Sequence, residues 1–261
     1  MINIKSHADS NASTTKANAK AFCDKVDISI IIPTLNECKN IGKTIELLHR
    51  NLFNYNIEVI VIDGGSTDCT KREAQKAIAN HGLCGGVFNQ LSKGGKPAAL
   101  LEGFMRARGR YVAVIDADLE YDPSVISILL KVAELKGADL VVGQRKDKRS
   151  PHRQFISFGA KILAWLLIKE ARKFRDPIAE VYLAESRKLR YCLPKLRAGI
   201  KPFLEIISKC PFEKIEIVSM EQRNRIYGST KFRVTWIIDY LVQIIEILIY
   251  KFGHQMHTED I

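Results

Sequence analysis

An α/β fold, a mostly parallel sheet flanked by helices, is what this sequence predicts. Three observations carry that expectation. Short apolar runs alternate with helical patterns through the first half of the 261-residue chain. Runs such as Ile28–Ile32 and Ile57–Ile62 are apolar at every position, as strands covered on both faces require. Several of them end in polar clusters, and such sheets bind ligands outside the carboxyl ends of their strands.

Taken in order, Ile28–Ile32 is a buried strand closed by Pro33. Ile41, Ile45, Leu47, Leu48 and Leu52 then recur at helical spacing over about residues 39–53. Ile57–Ile62 is the second strand, and a helix is expected from Thr67 to Ala79. Val87 and Phe88 mark a short third strand. Pro97, tolerated in a first helical turn, opens a helix through Arg108. A strand over Tyr111–Ile115, a helix over Pro123–Leu135 and a strand over Ala138–Val142 follow. The polar ends are Thr34-Leu35-Asn36-Glu37, the run from Asp63 to Asp68, and Asp116-Ala117-Asp118. On neighbouring strands they make one site.

The formal net charge of +11 predicts attraction to something anionic: nucleic acid, a nucleotide or a membrane phosphate surface. The six cysteines include no C-x-x-C pair, so a zinc or thioredoxin-type site is not expected. They read as reduced thiols of a cytosolic compartment. Residues 1–26 are expected to be a disordered tail, because the first twenty are rich in Ser, Asn, Ala, Thr and Lys and offer little to bury. No apolar run suggests a secretory signal there.

The second half changes character. Between Arg145 and Arg175 stand ten Lys or Arg against two acids, interleaved with Phe155, Phe158, Ile162, Trp165 and Leu166. A basic amphipathic helix of this kind suits a membrane surface, and an ordinary helix with a solvated basic face fits it equally well. Residues 234–252 are more decisive. Thr235, Asp239, Gln243 and Glu246 form one polar stripe on an otherwise apolar helix. That helix would be ~28 Å long, near the ~30 Å of a hydrocarbon core. Two acids near its middle would cost ~2.5–3.5 kcal/mol each in a span. A helix lying in the interface, or docked on a membrane partner such as a small anchor subunit, is therefore preferred, with Lys231, Arg233 and Lys251 facing lipid phosphates. A C-terminal core helix is the alternative. The expected division is the tail, a catalytic domain over 27–232, and an amphipathic membrane-associated helix over 233–261.

Asp116, Asp118 and Glu120 follow an apolar strand at every second position. On an extended backbone they would share a side, ~6–7 Å apart. Their repulsion asks for a cation, and Mg²⁺ or Mn²⁺ takes such oxygen ligands together with substrate phosphates. A helix N-terminus decorated with acids explains Asp122 but not the pair that ends the strand. Three carboxylates, a divalent metal and a diphosphate leave excess negative charge, for which Arg145, Arg153, Arg225 and Lys231 are the candidate counterions.

The segments ISIIIPTLNE, VIVIDGGSTD, GKPAALLEGFMRARGRYVAVIDAD and VVGQR resemble the inverting glycosyltransferases of the GT-A nucleotide-diphospho-sugar transferase fold. RQFIS and RNRIYGSTK extend the resemblance to the dolichol-phosphate mannosyltransferase-like group, over roughly residues 27–250. The resemblance implies transfer of a hexose, mannose first, from GDP-mannose or a UDP-hexose to a polyprenyl or dolichyl phosphate, by a peripheral enzyme on the cytoplasmic face of a membrane. It implies that Pro33, Thr34, Asn36 and Glu37 line the nucleotide pocket and that Asp63 holds base or ribose. Asp116 and Asp118 would bind metal and diphosphate, with Glu120 completing the metal shell. Arg145, Arg153 and Ser157 would face the lipid phosphate, and Arg225 and Lys231 would clamp the diphosphate from a loop around Gly228. Such an acceptor needs no general base, because a phosphate monoester with a second pKa of ~6 is already anionic.

The chain departs from the family pattern in two places. Asp176-Pro177-Ile178-Ala179-Glu180-Val181-Tyr182 stands where the group often reads Asp-Pro-Thr followed by Ser-Gly-Phe. Gly64 replaces a second Asp of many relatives, which leaves GDP and UDP both open. The alternative function is transfer to a sugar hydroxyl in glycan or polysaccharide assembly, with Asp176 or Glu180 as base. A nucleic-acid partner is not expected: basic residues alternate with apolar ones, and no zinc finger or aromatic RNA-binding signature occurs. An inactive subunit fits poorly with an intact acidic triplet.

Overall fold

A computed structural model of the chain describes residues 25–146, 151–222 and 235–259, without the side chains of 146, 151–157, 235 and 254–259. Seven strands form one sheet: β1 (Ile28–Thr34), β2 (Ile57–Asp63), β3 (Cys84–Asn89), β4 (Tyr111–Val114), β5 (Leu140–Lys146), β6 (Val181–Glu185) and β7 (Ile215–Glu221). Their order across the sheet is β3-β2-β1-β4-β6-β5-β7. The described helices are α1 (Ile41–Asn51), α2 (Thr70–Asn80), α3 (Gly95–Arg106), α4 (Ser124–Lys136), α5 (Pro151–Leu167), α6 (Ser186–Cys192), α7 (Pro202–Lys209) and α8 (Thr235–Glu259).

The strand pattern explains the layers. Ile28, Ile30 and Ile32 of β1 point to one face and pack with Ile41, Ile45 and Leu48 of α1, Ala74 and Ile78 of α2, and Ile126, Leu129 and Leu130 of α4. Ile31 points to the other face, where Leu100 and Phe104 of α3, Ala164 of α5, Phe203 and Ile206 of α7, and Ile244 and Ile247 of α8 gather. Helices thus cover both faces, as the uniformly apolar strands predict.

Every strand pairing is parallel except those of β6, which runs antiparallel to β4 and to β5 between them. This reversal builds the site. The carboxyl ends of β1, β2, β4, β5 and β7 lie along one edge, and because β6 is reversed its entrance, with Asp176 and Glu180 just before it, meets the same edge.

Close packing of α3 on β1 depends on Gly103. A Cβ there would lie 2.4 Å from Cγ2 of Ile31, which is fully buried. Gly103→Ala is expected to cost about 1–3 kcal/mol through overpacking, read as a lowered midpoint in urea unfolding with unchanged slope.

Candidate active site

One side of the site is made by the loops after β1 and β2, which are hydrogen-bonded to each other. Gly64 N–H donates to Thr34 O at 2.8 Å, closing the strand ends together. Asn36, at φ 57°, donates its N–H to Ser66 Oγ at 2.8 Å and accepts from Thr67 N–H through Oδ1 at 3.0 Å. Glu37 N–H reaches Thr70 Oγ1 at 2.8 Å, and Cys38 N–H reaches Asp68 Oδ2 at 3.2 Å. One Asp63 oxygen accepts from the Gly65 and Ser66 N–H groups, at 3.1 and 2.9 Å. The other Asp63 oxygen and Thr34 Oγ1 are buried without a partner. Two orphaned acceptors at a sheet edge suit the donors of a base or ribose. Pro33 is the buried penultimate residue of β1.

These loops also carry a correction. The cysteines do not all stand as reduced thiols: Cys38 and Cys69 form a disulfide with a Cα separation of 5.1 Å, and Cys84 is likewise disulfide-bonded. Cys192 and Cys210 are free and buried. The bonded pair is 31 residues apart and meets only because the two loops are braced together, so no short-range spacing could reveal it.

The acidic stretch folds differently from its expected extended form. The β4 strand ends at Val114, and Leu119 at φ 60° turns the chain between Asp118 and Glu120. Asp116 Oδ2 is 2.6 Å from the Lys96 ammonium, Asp118 Oδ1 accepts from Glu120 N–H at 3.1 Å, and Glu120 Oε2 accepts from Gln222 Nε2 at 2.7 Å. The three acids therefore do not follow one another on an extended strand. Among the described residues no group of three or more His, Cys, Asp or Glu is disposed to hold a metal. Burial, together with the nearby Glu180 and Asp118 carboxylates, lifts the Asp116 carboxyl above the ordinary range against the pull of Lys96. Burial works against the Lys96 ammonium too, but Asp116 and Glu180 hold it above its usual range.

The other side of the site lies across β6. Arg145 Nε is 3.0 Å from Asp176 Oδ2, with side chains only 8% and 5% exposed, and its Nη1 is 3.8 Å from Glu180 Oε2. Arg145 also hydrogen-bonds the Tyr121 hydroxyl. Lys161 of α5 is 3.4 Å from Asp176 Oδ2. Desolvation opposes the charge on Arg145, and Asp176 and Glu180 outweigh it, so its pKa rises. Arg145 is therefore brought into the site with Asp116 and Asp118. The side chains of Arg153 and Ser157, and residues Arg225 and Lys231, lie outside the described residues. Lys96, Lys161, Asp176 and Glu180 complete the charge cluster. The first two escaped sequence reading because an isolated lysine in a helical pattern looks like a solvated one.

Residues 29–184 match the family model described as Glycosyl transferase family 2. The chain belongs to that family. The dolichol-phosphate mannosyltransferase of Pyrococcus furiosus is 27% identical over 227 residues, which are 85% of this chain and 63% of that protein. The enzyme of the same name from Saccharomyces cerevisiae is 27% identical over 243 residues, 87% of this chain and 89% of its own. In fold, the chain is similar to glucosyl-3-phosphoglycerate synthase of Mycobacterium tuberculosis, solved with Mn²⁺, UDP and glucosyl-3-phosphoglycerate: the TM-score is 0.62 at 22% identity, over 91% of this chain and 84% of that one. The GT-A architecture read from the sequence is thereby met.

Because the Cys38–Cys69 bond joins residues 31 apart, Cys38→Ser with Cys69→Ser is expected to cost about 4 kcal/mol by loop-entropy reasoning. The same variant should bind nucleoside diphosphate more weakly. Thermal unfolding with and without reductant, and calorimetric titration with UDP and GDP, check both effects.

Proposed function

We propose that this glycosyltransferase moves a hexose, mannose first among candidates, with inversion from a nucleotide-diphosphate sugar to a polyprenyl or dolichyl phosphate, as a peripheral enzyme on the cytoplasmic face of a membrane. The observation that carries the reading is the orientation of α8 beside a cation-lined site. Tyr240, Gln243, Ile244 and Ile247 face inward and are buried, while Ile238, Leu241, Ile245, Ile249 and Phe252 form an exposed apolar face. The neighbouring α5, to which Tyr240 donates a hydrogen bond at Ala160 O (2.7 Å), exposes Phe158, Ile162 and Leu166. Apolar area of this extent suits a lipid surface. No described helix is long and apolar enough to cross a membrane.

The state of the carboxylates favours a phosphate acceptor over a hydroxyl. A hydroxyl needs a free general base. Asp176 is held between Arg145 and Lys161, and Glu180 is near Arg145. Both are committed to cations, whereas an anionic phosphate needs only to be positioned. The names of the Pyrococcus and yeast relatives point the same way.

On the donor side, Thr34, Asn36, Glu37 and Asp63 would receive the nucleoside, and Lys96 would share the diphosphate charge. Asp116 and Asp118 would hold Mg²⁺ or Mn²⁺; a pair of hard carboxylate ligands suits either ion with substrate phosphates filling the shell. When bound, the ion neutralises charge that develops on the departing diphosphate. Arg225 and Lys231 are proposed to add to that neutralisation, Arg153 and Ser157 to hold the acceptor, and Glu120 to support the Asp118 loop. A small membrane anchor subunit is a further proposed partner. The proposed domain limits are 27–232 for catalysis and 233–261 for membrane association.

The test is transfer of radiolabel from GDP-mannose or UDP-glucose into organic solvent in the presence of membrane lipid extract. Label confined to water-soluble glycan would favour the hydroxyl alternative and sink the proposal. Asp118→Asn should abolish transfer, with circular dichroism unchanged. Replacing Leu241, Ile245 and Ile249 together by Gln should leave the melting temperature nearly unchanged, because these side chains are already exposed. Flotation with anionic liposomes should fall sharply.

A further inference from the structure

Most cations of the described site are matched. Lys96 lies against Asp116, while Arg145 and Lys161 lie against Asp176. Lys201 is different. Its ammonium is within electrostatic reach of Glu180, Asp176, Lys96 and Arg145, yet no described carboxylate is at ion-pair distance from it. It is half-buried. Burial holds the ammonium below its usual range, Lys96 and Arg145 add to that, and Glu180 compensates only in part. A cation in this position has no carboxylate among the described residues at ion-pair distance.

The backbone of Lys201 is held from behind with unusual care. Its N–H donates to Gln243 Oε1 at 2.9 Å, and its carbonyl accepts from Gln243 Nε2 at 3.0 Å. Gln243 is 1% exposed and sits on the inner face of α8. Gly199 makes room for it, since a Cβ there would lie 2.5 Å from Gln243 Nε2. Arg197 and Glu246, 3.0 Å apart, tie the same loop to the same helix one turn further on. The oxygen and the nitrogen of the Gln243 amide thus both bond one residue, and that residue carries the ammonium without an ion-pair partner.

We infer that Lys201 binds the phosphate of the acceptor and that Gln243 is its positioning residue. The inference rests on the function proposed above. The direction of approach argues for acceptor rather than donor. The donor loops and Lys96 lie with β1, β2 and α3. Lys201 ends a loop that touches the start of α3 through Ala198 and is strapped to α8, the helix whose outer face is apolar. A lipid phosphate whose chain follows that face brings its headgroup to Lys201, and a dianionic headgroup gives the ammonium a direct partner.

The experiment uses the full-length protein and geranyl phosphate, with the donor that gives transfer in wild type. Lys201→Met should raise the KM for geranyl phosphate by about tenfold or more, with donor KM changed less than about twofold, as loss of one charge-assisted contact predicts. Lys201→Arg should recover most of the loss. Gln243→Ala should raise acceptor KM by a smaller factor and leave donor KM alone, which a general loss of stability would not do. Calorimetric binding of geranyl phosphate without donor should fall in the same order. An unchanged acceptor KM in folded Lys201→Met, or an equal rise in donor KM, overturns the assignment while the proposed function stands. If wild type neither binds nor glycosylates geranyl phosphate with any donor, the proposed function falls and the assignment with it.

Discussion

Carboxylates can be gathered at the dry end of a sheet only if cations arrive with them. Asp116, Asp118, Asp176 and Glu180 come to one edge because β6 runs against its neighbours. Left alone they would repel one another and shed their charge. The protein answers with cations from separate elements: Lys96 from α3, Arg145 from β5 and Lys161 from α5. Helices on one face of the sheet are therefore fixed to the strands by electrostatics at the site as well as by packing beneath it. A ligand rich in phosphate enters a network already arranged around opposite charges, and has only to exchange partners within it.

The last helix solves a second problem with an inverted amphipathic pattern. Ordinary surface helices turn their apolar side inward. In α8 the buried side carries Tyr240 and Gln243 among its isoleucines, and Glu246 is turned to Arg197. The wholly apolar side is left outside. The core-helix reading describes its inner face, and the outer face is the one on which the interface reading rests.

Much of this was legible beforehand. The strands from β1 to β5 and the helices between them follow from uniform apolar runs and helical spacing, and Asp63, Asp116 and Asp118 announce themselves by ending such runs. The direction of β6 could not be read, because a five-residue apolar strand looks the same in either orientation. The extended form expected of the three acids was not met, because alternation implies a shared side only while the backbone stays extended, and Leu119 turns it. Lys201 and the Cys38–Cys69 pair depend on contacts between distant segments, so nothing local marks them. The exposed apolar surface of α8, by contrast, was visible as an apolar helix with a single polar stripe.

The fit between Gln243, Gly199 and Lys201 has a consequence for how such an enzyme can be rebuilt. An anchoring helix is often regarded as a module, to be exchanged for another of similar length and hydropathy. Here an exchange would have to reproduce one glutamine at one register, opposite a loop that lacks a side chain at one place. Two chains with interchangeable outer faces would therefore not be interchangeable parts, and ancestry in this segment should be traced through its hidden side, where the fit to Gly199 and Lys201 is specific.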